Sequence, residues 1–209
     1  MMEPEHEPTL VDLAQRYDSE DMIGFIRRFV NDLRSGFEAV NVERFPWLTT
    51  LRQAPWSGVI CLGMGGSGAG GDFLSALTDS KGNCPVLVSR GYTLPAWFDA
   101  TWLVLATSHS GNTEETVSAA QMALDKGATV VVIASGGLLA GLPETSDRCY
   151  LIPTVGGQPP RTAFGHIFSR QLACLEALGL LQAMTEADRN AMLLRLQQHN
   201  DHFDILTNP

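Results

Sequence analysis

VICLGMGGSGAGGD, Val59–Asp72, is the stretch on which the reading of the fold turns. A short apolar run with no polar face leads straight into a segment, Gly63 to Asp72, in which six of ten residues are glycine. The apolar run reads as a strand buried on both faces. The glycine-rich segment reads as a tight turn into a helix running through Asp72 to Leu77, with backbone N–H groups left free to meet an anion. A strand that enters a helix in this way is the first unit of an alternating α/β fold.

The same pattern repeats outward. PVLVS (Pro85–Ser89), WLVLAT (Trp102–Thr107), TVVVIAS (Thr129–Ser135) and CYLIP (Cys149–Pro153) are further apolar runs, and a helix is expected from about Thr113 to Lys126. Five such strands alternating with helices predict an α/β, doubly wound, five-stranded parallel sheet flanked by helices, in the flavodoxin-like order 2-1-3-4-5. Ser19 to Val40 carries apolar residues three and four apart and predicts an amphipathic helix. PTVGGQPP (Pro153–Pro160) is a turn-rich connection, Arg161 to Leu180 reads as a helix, and a last helix opens at Thr185, with Asp188 as its third-residue acid.

The chain has 209 residues and a formal net charge of −9, with only 14 Lys and Arg. Such a balance argues against a nucleic-acid or anionic-membrane partner, both of which need clustered positive charge. An anionic ligand would have to be small and held locally. The four cysteines (Cys61, Cys84, Cys149, Cys174) form no C-x-x-C pair and have no histidines at metal-ligand spacing, so no metal is expected and a reducing cytoplasm is the expected setting. The acidic start MMEPEHEPTLVD has neither a basic nor an apolar leader region, and no window has 18 consecutive apolar residues, so neither secretion nor membrane insertion is expected.

A second loop, SHSGNTEET (Ser108–Thr116), follows the third strand. In the order 2-1-3-4-5 the first and third strands are neighbours, and their loops face one another across the crevice at the strand ends. Ser108, Ser110 and Thr113 bring hydroxyls, and the helix that begins there brings free N–H groups. Glu114 and Glu115 fit the first helical turn, with Asn112 as N-cap and Glu115 as its third-residue acid. A plain tight turn and a plain capped helix start are the competing readings; six glycines in one loop and three hydroxyls in the other exceed what either needs.

Other loop chemistries fit less well. Gly63, Gly65 and Gly68 satisfy G-x-G-x-x-G, but no carboxylate follows at the end of the second strand; Arg90 there would suit a 2′-phosphate, which keeps an NADP reading open. A triphosphate loop would need a lysine, and a nucleophile elbow around Ser67 would need glycine where Ala69 stands.

GMGGSGAGGD, YTLP (Tyr92–Pro95), SHSGNTEET and PPRTAFGH (Pro159–His166), in that order, resemble the bifunctional phosphoglucose/phosphomannose isomerase family, built on the sugar isomerase (SIS) domain. The resemblance covers roughly Ser19 to the end. It implies aldose–ketose isomerisation of glucose 6-phosphate or mannose 6-phosphate to fructose 6-phosphate through a cis-enediolate, without a cofactor. It also implies that Gly65, Gly66, Ser67, Ser108, Ser110 and Thr113 bind the phosphosugar, and that Arg161 acts catalytically near C1 and C2. A guanidinium suits the developing enediolate charge.

The family usually has Tyr between the two serines, where this chain has His109. Its catalytic glutamate and ring-opening histidine belong to a second SIS half beyond the end of this sequence, so no general base is assigned. The expected organisation is a flexible N terminus over 1–18, the SIS domain over 19–182, and a C-terminal helix and linker over 183–209 toward that second half. A homodimer is implied, since SIS domains commonly dimerise. A non-catalytic SIS module that senses a sugar phosphate is the alternative from another class.

Overall fold

The computed structural model describes residues 7–207. The expected flexible stretch at residues 1–6 and the linker end at 208–209 lie outside the described residues. Strands β1 (Gly58–Leu62), β2 (Val86–Ser89), β3 (Trp102–Ser108), β4 (Thr129–Ala134) and β5 (Cys149–Pro153) form one sheet in the order β2-β1-β3-β4-β5. Every pairing is parallel, so the expected doubly wound sheet and its order are what the chain adopts.

Alternation along the strands divides the core in two. Cys61, Leu105 and Ile133 point to one face, where α2 (Met22–Glu38), α4 (Gly65–Lys81) and α7 (Phe164–Ala177) cover them with Leu33, Leu74 and Leu175. Leu62, Ala106 and Val132 point to the other, under α5 (Glu114–Asp125) and the short α6 (Gly137–Gly141), through Ala120 and Leu139. The connections after β1 and β3 therefore leave to opposite faces, which opens a crevice at their carboxyl ends.

Several boundaries differ from the sequence reading. The glycine-rich segment is itself helical: α4 starts at Gly65. Its glycines allow close packing, because a Cβ at Gly70 would lie 1.9 Å from Gln171 Oε1 and one at Gly71 would lie 2.8 Å from Cys61 Cβ. Pro160–Thr162 forms a 3₁₀ turn, so α7 opens at Phe164 rather than at Arg161. Leu10–Tyr17, within the stretch read as flexible, forms α1, which buries no residue and is started by a reciprocal cap: Asp12 N–H donates to Thr9 Oγ1 (3.2 Å) and Thr9 N–H to Asp12 Oδ2 (2.9 Å). The short α3 (Trp47–Leu51) had no distinct signature.

The last helix, α8 (Glu186–His202), begins where expected, with Asp188 N–H donating to Thr185 Oγ1 at 3.1 Å. It lies on α2, where the Asn200 amide donates to the Ile26 and Arg27 carbonyls at 3.2 and 3.1 Å. No helix among the described residues is long and apolar enough to cross a membrane.

Candidate functional site

The strand register brings the two loops together. Leu62, the last residue of β1, is opposite Ala106, so β3 runs two residues further, and a Cβ at Gly63 would sit 3.0 Å from the Thr107 carbonyl. In the first turn of α4 the N–H groups of Ser67 and Gly68 donate to the Met64 carbonyl, at 3.0 and 3.2 Å. Those of Gly65 and Gly66 precede any helical acceptor, and both glycines are exposed with nothing within 4 Å of a Cβ built on them. Packing therefore accounts for the later glycines, whereas Gly65 and Gly66 border open space beside unpaired donors and the positive end of a helix.

The second loop is held by its own hydroxyls. Ser108 Oγ accepts from the Gly111 N–H (3.1 Å) and lies 2.8 Å from Thr113 Oγ1, while Ser110 Oγ accepts from the Asn112 N–H at 3.2 Å. Ser108 is buried, Thr113 is half-buried and Ser110 is exposed, so Ser108 forms the back of the loop and Ser110 its solvent side. The N-cap is Thr113, not Asn112, and it makes no side-chain cap bond. Asn112 is used elsewhere: its Oδ1 accepts from the Leu138 N–H at 3.0 Å and so ties this loop to α6. Glu114 and Glu115 occupy the first turn of α5, as expected.

Neighbouring loops brace the site. The His109 carbonyl accepts from Ser135 Oγ (2.6 Å) and Ser135 N–H (3.1 Å), and a Cβ at Gly156 would lie 3.2 Å from Ser135 Cβ. The loops after β3, β4 and β5 are thus in contact at one sheet edge. Arg90, on which an NADP reading rested, is ion-paired with Asp72. Cys61 and Cys174 are buried thiols pushed up to about 12 by burial, which keeps them protonated. Among the described residues no group of three or more His, Cys, Asp or Glu side chains is arranged to hold a metal ion.

Burial holds the His109 imidazole below the usual histidine range, partly offset by a hydrogen bond with the Val155 main chain. The folded chain therefore binds this proton less readily than the unfolded chain. Stability is full above about pH 6.5, the unfolded value, and is lost as pH falls from there through the depressed folded value. The melting midpoint is expected to fall between about pH 7.5 and about pH 5.5, and less steeply in His109→Gln. An unchanged pH response in that variant would remove His109 from the account. His166, also lowered mainly by burial, acts in the same direction.

Arg161 lies in the 3₁₀ turn after β5, is exposed, and makes no hydrogen bond or ion pair among the described residues. It lines an open cleft of about 450 Å³ with Phe25, Phe29 and Phe164. Sequence reasoning passed over Gln171 of α7, whose amide bonds both loops from beneath. Its signal was the run of polar residues Ser169, Arg170 and Gln171 set between the apolar Phe168 and Leu172 of this helix.

No protein-family model matches the chain. It is 41% identical over 128 residues to the bifunctional phosphoglucose/phosphomannose isomerase of Caldicellulosiruptor bescii, covering 61% of this chain and 38% of that protein. It is 36% identical over 136 residues to the protein of the same description from Aquifex aeolicus, covering 64% of this chain and 42% of the relative. The chain spans well under half the length of these curated relatives. Among solved structures, tagatose-6-phosphate ketose/aldose isomerase from Escherichia coli superposes with a TM-score of 0.63 at 18% identity, over 87% of this chain and 53% of that one. That likeness shows the fold.

Proposed function

We propose that this chain, a relative of the bifunctional phosphoglucose/phosphomannose isomerases, is the phosphate-binding half of an isomerase that interconverts glucose 6-phosphate or mannose 6-phosphate with fructose 6-phosphate. The observation that carries the reading is the adjacency of two helix starts: β1 and β3 are paired neighbours, and beyond their carboxyl ends begin α4, with free N–H groups at Gly65 and Gly66, and α5, preceded by the hydroxyls of Ser110 and Thr113. A phosphate dianion there would meet charge-assisted donors from both loops. Ser67 adds a further hydroxyl to the first loop, and Ser108 backs the second. Arg161, whose side chain makes no hydrogen bond or ion pair among the described residues, would stabilise the negative charge of the cis-enediolate formed when a proton leaves C1 or C2. No residue is assigned as the base that moves that proton. The reading includes a second SIS half beyond residues 183–209 and a homodimer working in the cytoplasm. Association would cover exposed apolar side chains such as Ile26 and Phe73.

Calorimetric titration with fructose 6-phosphate and with inorganic phosphate tests it. The unaltered chain is expected to bind both. Ser110→Ala is expected to weaken both by about tenfold or more, the typical loss of a hydrogen bond to a charged group. Arg161→Ala is expected to leave inorganic phosphate unaffected and to weaken only the sugar phosphate. No heat from fructose 6-phosphate with the unaltered chain would overturn the reading. Tight binding without turnover by the whole protein would favour a sensor.

A further inference from the structure

We infer that Gln171 is a positioning residue for the sugar-phosphate site: its buried amide fixes the first turn of α4 relative to the end of β3, and so sets the spacing of the two loops. This rests on the sugar-phosphate reading above. Gln171 is fully buried on α7, the helix that follows Arg161. Its Nε2 donates to the Ser67 carbonyl at 3.2 Å and to Thr107 Oγ1 at 3.0 Å. Ser67 belongs to the glycine-rich turn, and Thr107 immediately precedes Ser108. Both protons of one NH₂ group are therefore divided between the first turn of α4 and the end of β3. The orientation of the amide follows from chemistry, since the Ser67 carbonyl can only accept and the nitrogen must face it.

Two costs are concentrated at this point. Gln171 Oε1 is buried without a hydrogen-bond partner, which is unfavourable in a packed interior. The amide also demands glycine at position 70, where a Cβ would lie 1.9 Å from Oε1, and glycine within a helix is itself unfavourable. An apolar side chain filling the same space would leave no orphaned oxygen, though it would exclude a Cβ at position 70 just as the amide does. What the amide supplies instead is a fixed link between loops that otherwise come from separate strands and leave to opposite faces of the sheet. Gln171 touches no ligand in this arrangement; it acts through Ser67 and Thr107.

Gln171→Met keeps the volume and removes the donors. Gln171→Glu keeps the shape but places a carboxylate against the Ser67 carbonyl at high pH; when protonated, that group can donate again. Titrations with inorganic phosphate and fructose 6-phosphate are run on the parent and both variants at about pH 8 and about pH 5.5, with melting midpoints alongside. Gln171→Met is expected to bind both ligands about tenfold more weakly at either pH while still melting cooperatively. Gln171→Glu is expected to be as weak at high pH and to recover toward the parent, measured at the same pH, as pH falls. Burial raises the glutamate's titration into that interval.

If the parent binds and both variants match it, the positioning role is overturned while the sugar-phosphate reading stands. If Gln171→Glu stays weak with no recovery on acidification, the loss comes from packing and the donor role is likewise overturned. If the parent binds neither ligand, the sugar-phosphate reading fails and this inference falls with it. Should Gln171→Met not fold, the pH response of Gln171→Glu decides alone.

Discussion

Gly111→Ala is expected to reduce fructose 6-phosphate affinity by about 100-fold or more and to destabilise the β3–α5 loop by about 3 kcal/mol. Gly111 sits at φ +73°, in the left-handed region, and a Cβ there would lie 1.7 Å from the Gly136 carbonyl oxygen. Strain from positive φ alone costs an alanine about 1 kcal/mol. The clash adds more, because a backbone carbonyl cannot swing aside as a flexible side chain can. Gly111 also donates to Ser108 Oγ and accepts from the Leu139 N–H at 3.0 Å, so its displacement pulls apart the hydroxyl cluster and the link to α6 together. Gly66→Ala is the contrasting substitution: with open space around its Cβ, it is expected to leave the melting midpoint unchanged. Calorimetry and thermal melting of the two variants check the pair. Parent-like binding and melting in Gly111→Ala would sink the account of that loop.

Arg170→Ala is expected to cost about 3 kcal/mol of global stability, a fall in melting midpoint of about 6–12 °C for a chain of this size. The guanidinium is buried and donates from Nε to the Pro153 carbonyl and from a terminal nitrogen to the His166 carbonyl, each at 3.0 Å. It fastens the end of β5 to α7, at the root of the segment that carries Arg161. It also faces Asp32, which is 3.2 Å from His166 Nε2 and whose carboxyl burial pushes above the usual range. Removing Arg170 leaves two carbonyls without their donor and takes away one of the cations opposing that shift. Arg170→Lys is expected to recover only part of the loss, since an ammonium cannot reproduce the planar fork. Chemical denaturation of both variants measures it, and a loss below about 1 kcal/mol in Arg170→Ala would show that the latch contributes little.

The sheet was legible in the sequence because apolar runs such as WLVLA and TVVVIA, short and bounded by turn residues, have few other uses. Their order was read from the flavodoxin-like form of the doubly wound sheet, with its crevice where neighbouring connections leave to opposite faces. The two loops were legible as a pair for the same reason. Asn112 was not: the pattern N-x-x-E describes a cap, and only the neighbouring chain at Leu138 shows what its side chain bonds instead. Gln171 and Arg170 were also hidden. An apolar stripe through Ile167, Leu172 and Leu175 marks one buried face, but α7 is buried nearly all round, with α2 and α4 against its other sides. Periodicity along one helix carries no record of what covers its remaining faces. Arg161 was singled out by resemblance, and its lack of a hydrogen bond or ion pair among the described residues became visible only in the fold.

The glycines of α4 have a consequence for the order in which the molecule assembles. Gly68, Gly70 and Gly71 cost an isolated helix about 3 kcal/mol relative to alanine, so this segment has little tendency to coil on its own. Its support comes from β1, β2 and α7, and the contact between Ser67 and Gln171 spans 104 positions of the chain. During synthesis the glycine-rich segment therefore emerges long before the part of its support that α7 supplies. Its contact with Gln171 can form only once residue 171 has left the ribosome, so this part of the site is completed no earlier than α7.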